Sequence, residues 1–141
     1  MSLIDATHYP EIRAALDTTL DATRLPDSVI EQSIYLGAAE AEVLRLDSQA
    51  QERVDGGGEE ALAIQRAVIY LTAARLAPAV PQLVQAGSES GLSYRLREMD
   101  WRVRAAELRA WGLDAVQAVL ATGVTSSLPS LFGLASGRRG R

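Results

Sequence analysis

The chain has no cysteine, no lysine and no asparagine, and only one histidine. Without cysteine there is no disulfide framework, zinc–thiolate site, iron–sulfur cluster or thiol nucleophile. That suits a reducing compartment without requiring one. Without lysine, all fourteen positive charges are Arg. The missing Asn and the abundant Ala and Arg fit a GC-rich coding bias, so Arg over Lys is not read as selected chemistry. The lone His8 excludes the paired Glu-x-x-His set of di-iron bundles and argues against a Ser-His-Asp triad. Asp5 and Glu11 lie three residues either side of it, but a carboxylate–His pair alone is a poor transition-metal site. His8 is expected to be an exposed residue of an irregular N-terminus.

Long uncharged apolar runs are absent as well. The most apolar stretch, "ALAIQRAVIYLTAARLAPAV", contains Arg66, Arg75 and Pro78. A membrane span needs about 20 mostly apolar residues, so this stretch is expected to be a buried core helix, with no membrane contact. The start, "MSLIDATHYPEIR", lacks a basic n-region and an apolar h-region, so no signal peptide is expected. Gly56, Gly57 and Gly58 lack the preceding strand and the following Lys-Ser/Thr of a phosphate loop. Glu40 and Glu42 are two apart and are expected on different sides of a helix. No catalytic, cofactor-binding or metal-ligating set emerges, and the chain is not expected to be an enzyme.

At 141 residues the chain suits one domain. A chain of this length buries roughly 68–70% of its unfolded surface without metal or disulfide support. The net charge is −4, unevenly spread. Arg138, Arg139 and Arg141 lie at the tip; the other eleven Arg face eighteen acids and leave residues 1–124 at −7. An acidic body argues against general nucleic-acid binding.

Helical spacing dominates the rest. Pro10 opens a short helix, "PEIRAALDTTL", with Ile12, Ala15 and Leu16 on one face. Ser28 followed by Glu31 is a capping box, with Asp27 as a competing cap. It predicts a helix to about Leu46 that buries the stripe Ile30, Ile34, Gly37, Ala41 and Leu44. Asp55-Gly56-Gly57-Gly58 is the strongest turn signal, predicted to be a mobile connector. A central helix follows to Leu76, apolar on most of its circumference, and Pro78 and Pro81 end or kink it. "AGSESG" reads as a second linker, and Leu92 to Arg97 alternate as a short extended segment. Asp100 caps a last helix with Trp101, Ala105, Leu108 and Gly112 on one line, ended by Gly123. The expected fold is an all-α helical bundle of about four helices over residues 1–123. Residues 124–141 form an extended C-terminal arm. The three longer helices are expected to span roughly 28–30 Å each.

Arg66 and Arg75 interrupt the central helix and are expected to lay their stems on the core and pair with carboxylates. Trp101 is expected in the core, and Trp111 at a subunit contact. The arm carries Leu128, Leu131, Phe132 and Leu134 among Gly and Ser, then Arg138, Arg139 and Arg141. Idle disordered tails are depleted in large apolar residues, so this segment reads as an arm that docks on a partner.

The stretches "YLGAAEAEV", "RAVIYLTAARLAP" and "SYRLREMDW", over about residues 10–120, resemble the head–tail connector adaptors of tailed bacteriophages. The resemblance implies a small helix bundle without catalysis or cofactor. Such adaptors bind beneath the portal protein of the filled capsid, commonly as a twelve-membered homo-oligomeric ring, and link it to a downstream neck or tail protein. Carried over, Leu128, Leu131, Phe132 and Leu134 would be portal-binding anchors, and Arg138, Arg139 and Arg141 would pair with portal acids or lie near the DNA channel. DNA would pass the acidic body without specific binding. The protein would belong to the virion, at the head–tail junction, after assembly in the bacterial host cytoplasm.

A cyclic ring needs two different side surfaces on each subunit. The Arg-rich stretch with Arg95, Arg97, Arg102 and Arg104, the Glu-rich stretch with Glu40 and Glu42, and Trp111 are the inter-subunit candidates. A cellular helical-bundle interaction subunit with a partner-binding tail is the alternative reading.

Overall fold

A glycine inside a helix is a weak point unless something needs the space. Gly112 is such a case. In the computed structural model, which describes residues 2–85 and 99–127, a Cβ at Gly112 would lie 2.8 Å from Leu71 Cγ and 3.2 Å from the Ala67 carbonyl oxygen. Two long helices touch there, α5 (Gly58–Leu76) and α7 (Trp101–Ser127). Ala118 and Val119 line a hollow with Glu59, Glu60 and Ala63, so the two helices run antiparallel.

α5 buries Ile64, Val68, Ile69, Leu71, Thr72 and Leu76 around its circumference, as expected of a central helix. Trp101, Leu108 and Gly112 are buried along the predicted line of α7, which Val116 and Val119 continue. α7 does not stop at Gly123; it runs to Ser127. One interior glycine weakens a helix by only about 1 kcal/mol relative to Ala, too little to end one this long. The boundary expected at residues 123–124 therefore falls inside α7.

The shorter elements are α1 (Tyr9–Leu16), α2 (Asp27–Ile30), α3 (Ala38–Leu46), α4 (Ala50–Gly56) and α6 (Val80–Gln85). No strand occurs among the described residues, so the protein is all-α as expected. The expected length pattern differs. α5 and α7 have 19 and 27 residues, but α3 has only 9. The extended segment expected at 92–97 and the linker at 86–91 lie outside the described residues.

The predicted helix from Ser28 to Leu46 is broken. Gln32 is extended (φ −61°, ψ 144°) and a π turn, Ser33–Gly37, follows it. The Ser28–Glu31 capping box does not form; Pro26 caps α2 without a side-chain bond. The break has a geometric cause. Ile30, Leu36, Ala39 and Val43 are all buried. In one straight helix Leu36, Ala39 and Val43 would lie roughly 180–240° from Ile30, at 100° per residue. Only a broken helix turns both sets to the core. The expected stripe of Ile34, Gly37, Ala41 and Leu44 is consequently exposed.

Side-chain bonds hold these short pieces. Arg13 is buried; its Nε donates to the Leu25 carbonyl oxygen at 2.7 Å and its Nη2 donates to Asp27. It ties the loop after α1 back onto α1. Tyr9 Oη donates to Glu31 at 3.1 Å, and burial together with that carboxylate pushes the Tyr9 phenol up to about 12. Asp47 is buried and accepts from Arg53 Nε at 2.7 Å. Arg53 Nη1 donates to Glu60 at 2.9 Å, across the turn between α4 and α5. That turn is tighter than the predicted connector. Gly57 and Gly58 take φ of 72° and 79°, a region that glycine enters without strain.

The N-terminus is not irregular. Leu3 and Ile4 are buried, and Glu40 Oε2 accepts from Leu3 N at 2.6 Å and Ile4 N at 3.4 Å. His8 is mostly covered; its Nδ1 accepts from Asp5 N at 3.2 Å, within a 3-10 turn over Ala6–His8.

Gly112→Val should lower the unfolding free energy by about 2–3 kcal/mol through overpacking against Leu71 and Ala67. Gly37→Ala should be neutral or stabilising by up to about 1 kcal/mol, because its Cβ would meet only Ser33 Cβ, at 3.5 Å. Urea unfolding followed by circular dichroism measures both.

Candidate interaction surfaces

Three helices meet at Glu42. It is buried on α3 and accepts from Arg109 of α7 at 3.1 Å and 2.5 Å, one bond to each carboxylate oxygen. Arg75 of α5 donates to the same carboxylate at 3.2 Å. The two-pronged Arg109 bond, the Arg75 bond and their positive charges hold the Glu42 carboxyl below the usual glutamate range, against the opposing effect of burial. Both arginine heads keep partial access to water, with side chains 37% and 49% exposed. The clamp therefore binds α3 to both long helices without an unpaired buried charge.

A second cluster lies on the other flank of α7. Arg104 stacks over Trp111 with its guanidinium carbon 5.6 Å from the ring centroid. Its Nη2 donates to the Ala15 carbonyl oxygen of α1 at 2.8 Å. Tyr70 of α5 meets Trp111 edge-on, with ring centroids 5.6 Å apart. Trp111 still exposes 43% of its surface. Beside it, α1 and α5 form a groove of two adjoining hollows, about 210 and 320 Å³, which share Glu11, Arg66 and Ile69.

Two helix faces carry apolar side chains, large and small, into solvent. On α3 and the π turn before it, Ile34 is 61% and Leu44 39% exposed, with Gly37 and Ala41 exposed between them. On α7, Val103 is 55% exposed, and Ala106 and Ala110 follow it on the same face. Scattered apolar residues are ordinary on a surface. Aligned rows of them on a helix are the pattern of a packing face.

The candidate residues thus separate. Glu42, expected on an intermolecular face, is turned inward and used within the chain. Glu40 and Glu42 do point apart: Glu40 Oε2 holds the N-terminal segment, and Glu42 faces α5 and α7. Arg104 is partly buried and bonded to Ala15 and Trp111. Arg102 is exposed and makes no side-chain bond among the described residues. Arg75 has the expected carboxylate, whereas Arg66 is exposed and has none among the described residues. Arg95, Arg97, Leu128, Leu131, Phe132, Leu134, Arg138, Arg139 and Arg141 lie outside the described residues. The buried Arg13 and the clamp residue Arg109 carry no period or motif that marks them; their partners are 12 to 67 residues away. Among the described residues no group of three or more His, Asp or Glu is placed to hold a metal ion, and no helix is long and apolar enough to cross a membrane. Comparison with protein-family models, with curated proteins and with solved structures finds no match.

Glu42 binds a proton less readily in the folded chain than in the unfolded one. Its contribution to stability is therefore complete above the unfolded glutamate pKa, about 4.3, and is lost as the pH falls through the lower folded value. Glu42→Gln should lose about 1–2 kcal/mol at pH 7, a figure reduced for the solvated arginines. The difference from wild type should vanish in acid. Urea titrations at a series of pH values measure it.

Proposed function

We propose that the chain is a head-to-tail adaptor of a tailed bacteriophage. It forms a ring beneath the portal, and residues 128–141 grip the portal while the helical body presents the next surface to a neck or tail protein. Contact, not catalysis, is the work, and no cofactor takes part. DNA passes through the ring without specific binding.

The observation that carries the reading is the pair of outward apolar faces on a frame that is all-α among the described residues. A subunit with no neighbours gains nothing from exposing Ile34, Leu44 and Val103 in aligned rows. A ring subunit covers one row with each neighbour. The acidic body supports the DNA-passage role, because like charge keeps phosphates from sticking. The basic tip supports a docking arm, through Arg–carboxylate pairs that are strong and directional.

Truncation after Ser127 should leave the melting curve of the helical body unchanged and abolish co-purification with the portal of the same phage. Arg102→Glu is the clean charge reversal on the ring surface, because Arg104 already serves the fold. It should reduce assembly on the portal several-fold, measured by sedimentation of portal–adaptor complexes. Unchanged assembly by both variants would refute the reading.

A further inference from the structure

We propose that α3 of one copy packs antiparallel on α7 of a second copy, row against row, and that this is the contact between neighbours. The proposal deepens the adaptor reading, on which closure into a ring rests, by naming the two surfaces that meet.

The first argument is direction. At 100° per residue, Ala41 and Leu44 lie about 100° and 160° round α3 from Glu42. Val103, Ala106 and Ala110 lie about 60–120° round α7 from Arg109. Glu42 and Arg109 face each other within one chain, at 2.5 Å. Both apolar rows are therefore turned away from the clamp and cannot meet inside one copy. Two different, mutually fitting surfaces make a head-to-tail contact rather than a self-facing one.

The second argument is shape. Run antiparallel, one register sets Leu44 against Val103, Ala41 against Ala106 and Gly37 against Ala110. Large side chains meet at one end and small ones along the rest. Small residues let two helices approach to the short end of the usual 8–10 Å separation. The open space around Gly37, where an added Cβ meets nothing but its own helix, fits a face kept low for an incoming neighbour.

Charge selects the occupant and the direction. Arg45 flanks the α3 row on one side and Glu40 on the other. On α7, Glu107 flanks one side and Arg102 the other. Parallel packing would put Arg45 and Arg102 on one flank and Glu40 and Glu107 on the other. Antiparallel packing puts Arg45 and Glu107 on one flank and Glu40 and Arg102 on the other, each pair five residues out of step in this register, about 7.5 Å along the axes. Arg45 and Arg102 have no ion-pair partner within the described residues, and Glu40 Oε1 accepts no hydrogen bond there. Glu107 has only a 3.5 Å contact to Arg104. A second copy of this chain brings opposite charge to both flanks of the two rows.

The absence of cysteine gives the test a clean background. Ala41→Cys and Ala106→Cys are both at exposed positions, so the fold should be retained, which circular dichroism checks. The purified full-length double variant, concentrated and treated with copper phenanthroline, should give a ladder of dimers, trimers and higher species on a non-reducing gel. Each single variant should stay monomeric. Adding Leu44→Asp should reduce the ladder at least tenfold. Arg45→Glu should weaken it, and Glu107→Lys in the same chain should restore it. No ladder from the double variant, or self-dimers from Ala41→Cys alone, would overturn the proposal; the latter would mean α3 packs on α3. A full ladder together with no portal binding would refute the adaptor reading and leave this contact standing.

Discussion

A straight helix can offer only one side to one neighbour. Residues 30–46 carry apolar side chains on two opposite sides, one through Ile30, Ile34, Gly37, Ala41 and Leu44, the other through Leu36, Ala39 and Val43. The chain resolves the conflict by breaking at Gln32, so that Ile30 and the second row both reach the core. Everything distinctive about the surface follows. The first row, with Ile30 removed from it, is left facing solvent, with nothing among the described residues to cover it. Breaks and π turns of this kind weaken a helix and are kept where they position something.

Once α3 is short, its packing alone does not set its rotation. A nine-residue helix has little propensity to stand by itself. Glu42 supplies the orientation by binding one arginine from each long helix. Hydrogen bonds to both carboxylate oxygens fix an azimuth as well as a distance. With Glu42 pointing at α5 and α7, the direction of Ala41 and Leu44 is settled. Glu40 then lands over Leu3 and Ile4 and draws the N-terminal segment into the core. Two acids two residues apart thus fasten two different parts of the chain.

How much of this was legible in the sequence depended on how local the cause was. Helix α5 was readable because its apolar residues run through about five turns, enough to identify a central helix without partners. The inward line of α7 was readable for the same reason. The break at Gln32 was not, because the stripe beginning at Ile30 has perfect helical spacing; only the competing claim of Leu36, Ala39 and Val43 on the core defeats it. Gly123 misled as a stop because a glycine ends a helix only when the chain has reason to leave. Arg13, Glu42 and Asp47 were invisible as buried charges, since burial of an ion depends on partners brought from elsewhere in the chain. For the surfaces, the residue types were readable and the facing was not. Arg102 and Arg104 are two apart on one helix, yet one stands in water and the other is bonded to Ala15 and Trp111.

The distribution of polar bonds bears on what such a molecule can do. Its well-bonded charges are spent on joining elements: Arg13 to Asp27, Arg53 to Asp47 and Glu60, Arg75 and Arg109 to Glu42. A catalytic centre needs ionisable groups gathered in one cleft with their pKa values driven toward the task. Here the downward shift at Glu42 comes from a structural clamp, and the upward shift at Tyr9 from burial against Glu31. Among the described residues the arginines left without an ion pair lie on the outside, Arg45, Arg66 and Arg102, with rows of aliphatic side chains beside two of them. Free charges flanking aliphatic rows are the composition of a contact surface, where the apolar centre supplies affinity and the rim charges set direction and partner. Under the proposed contact, those surfaces meet in a second copy of the chain.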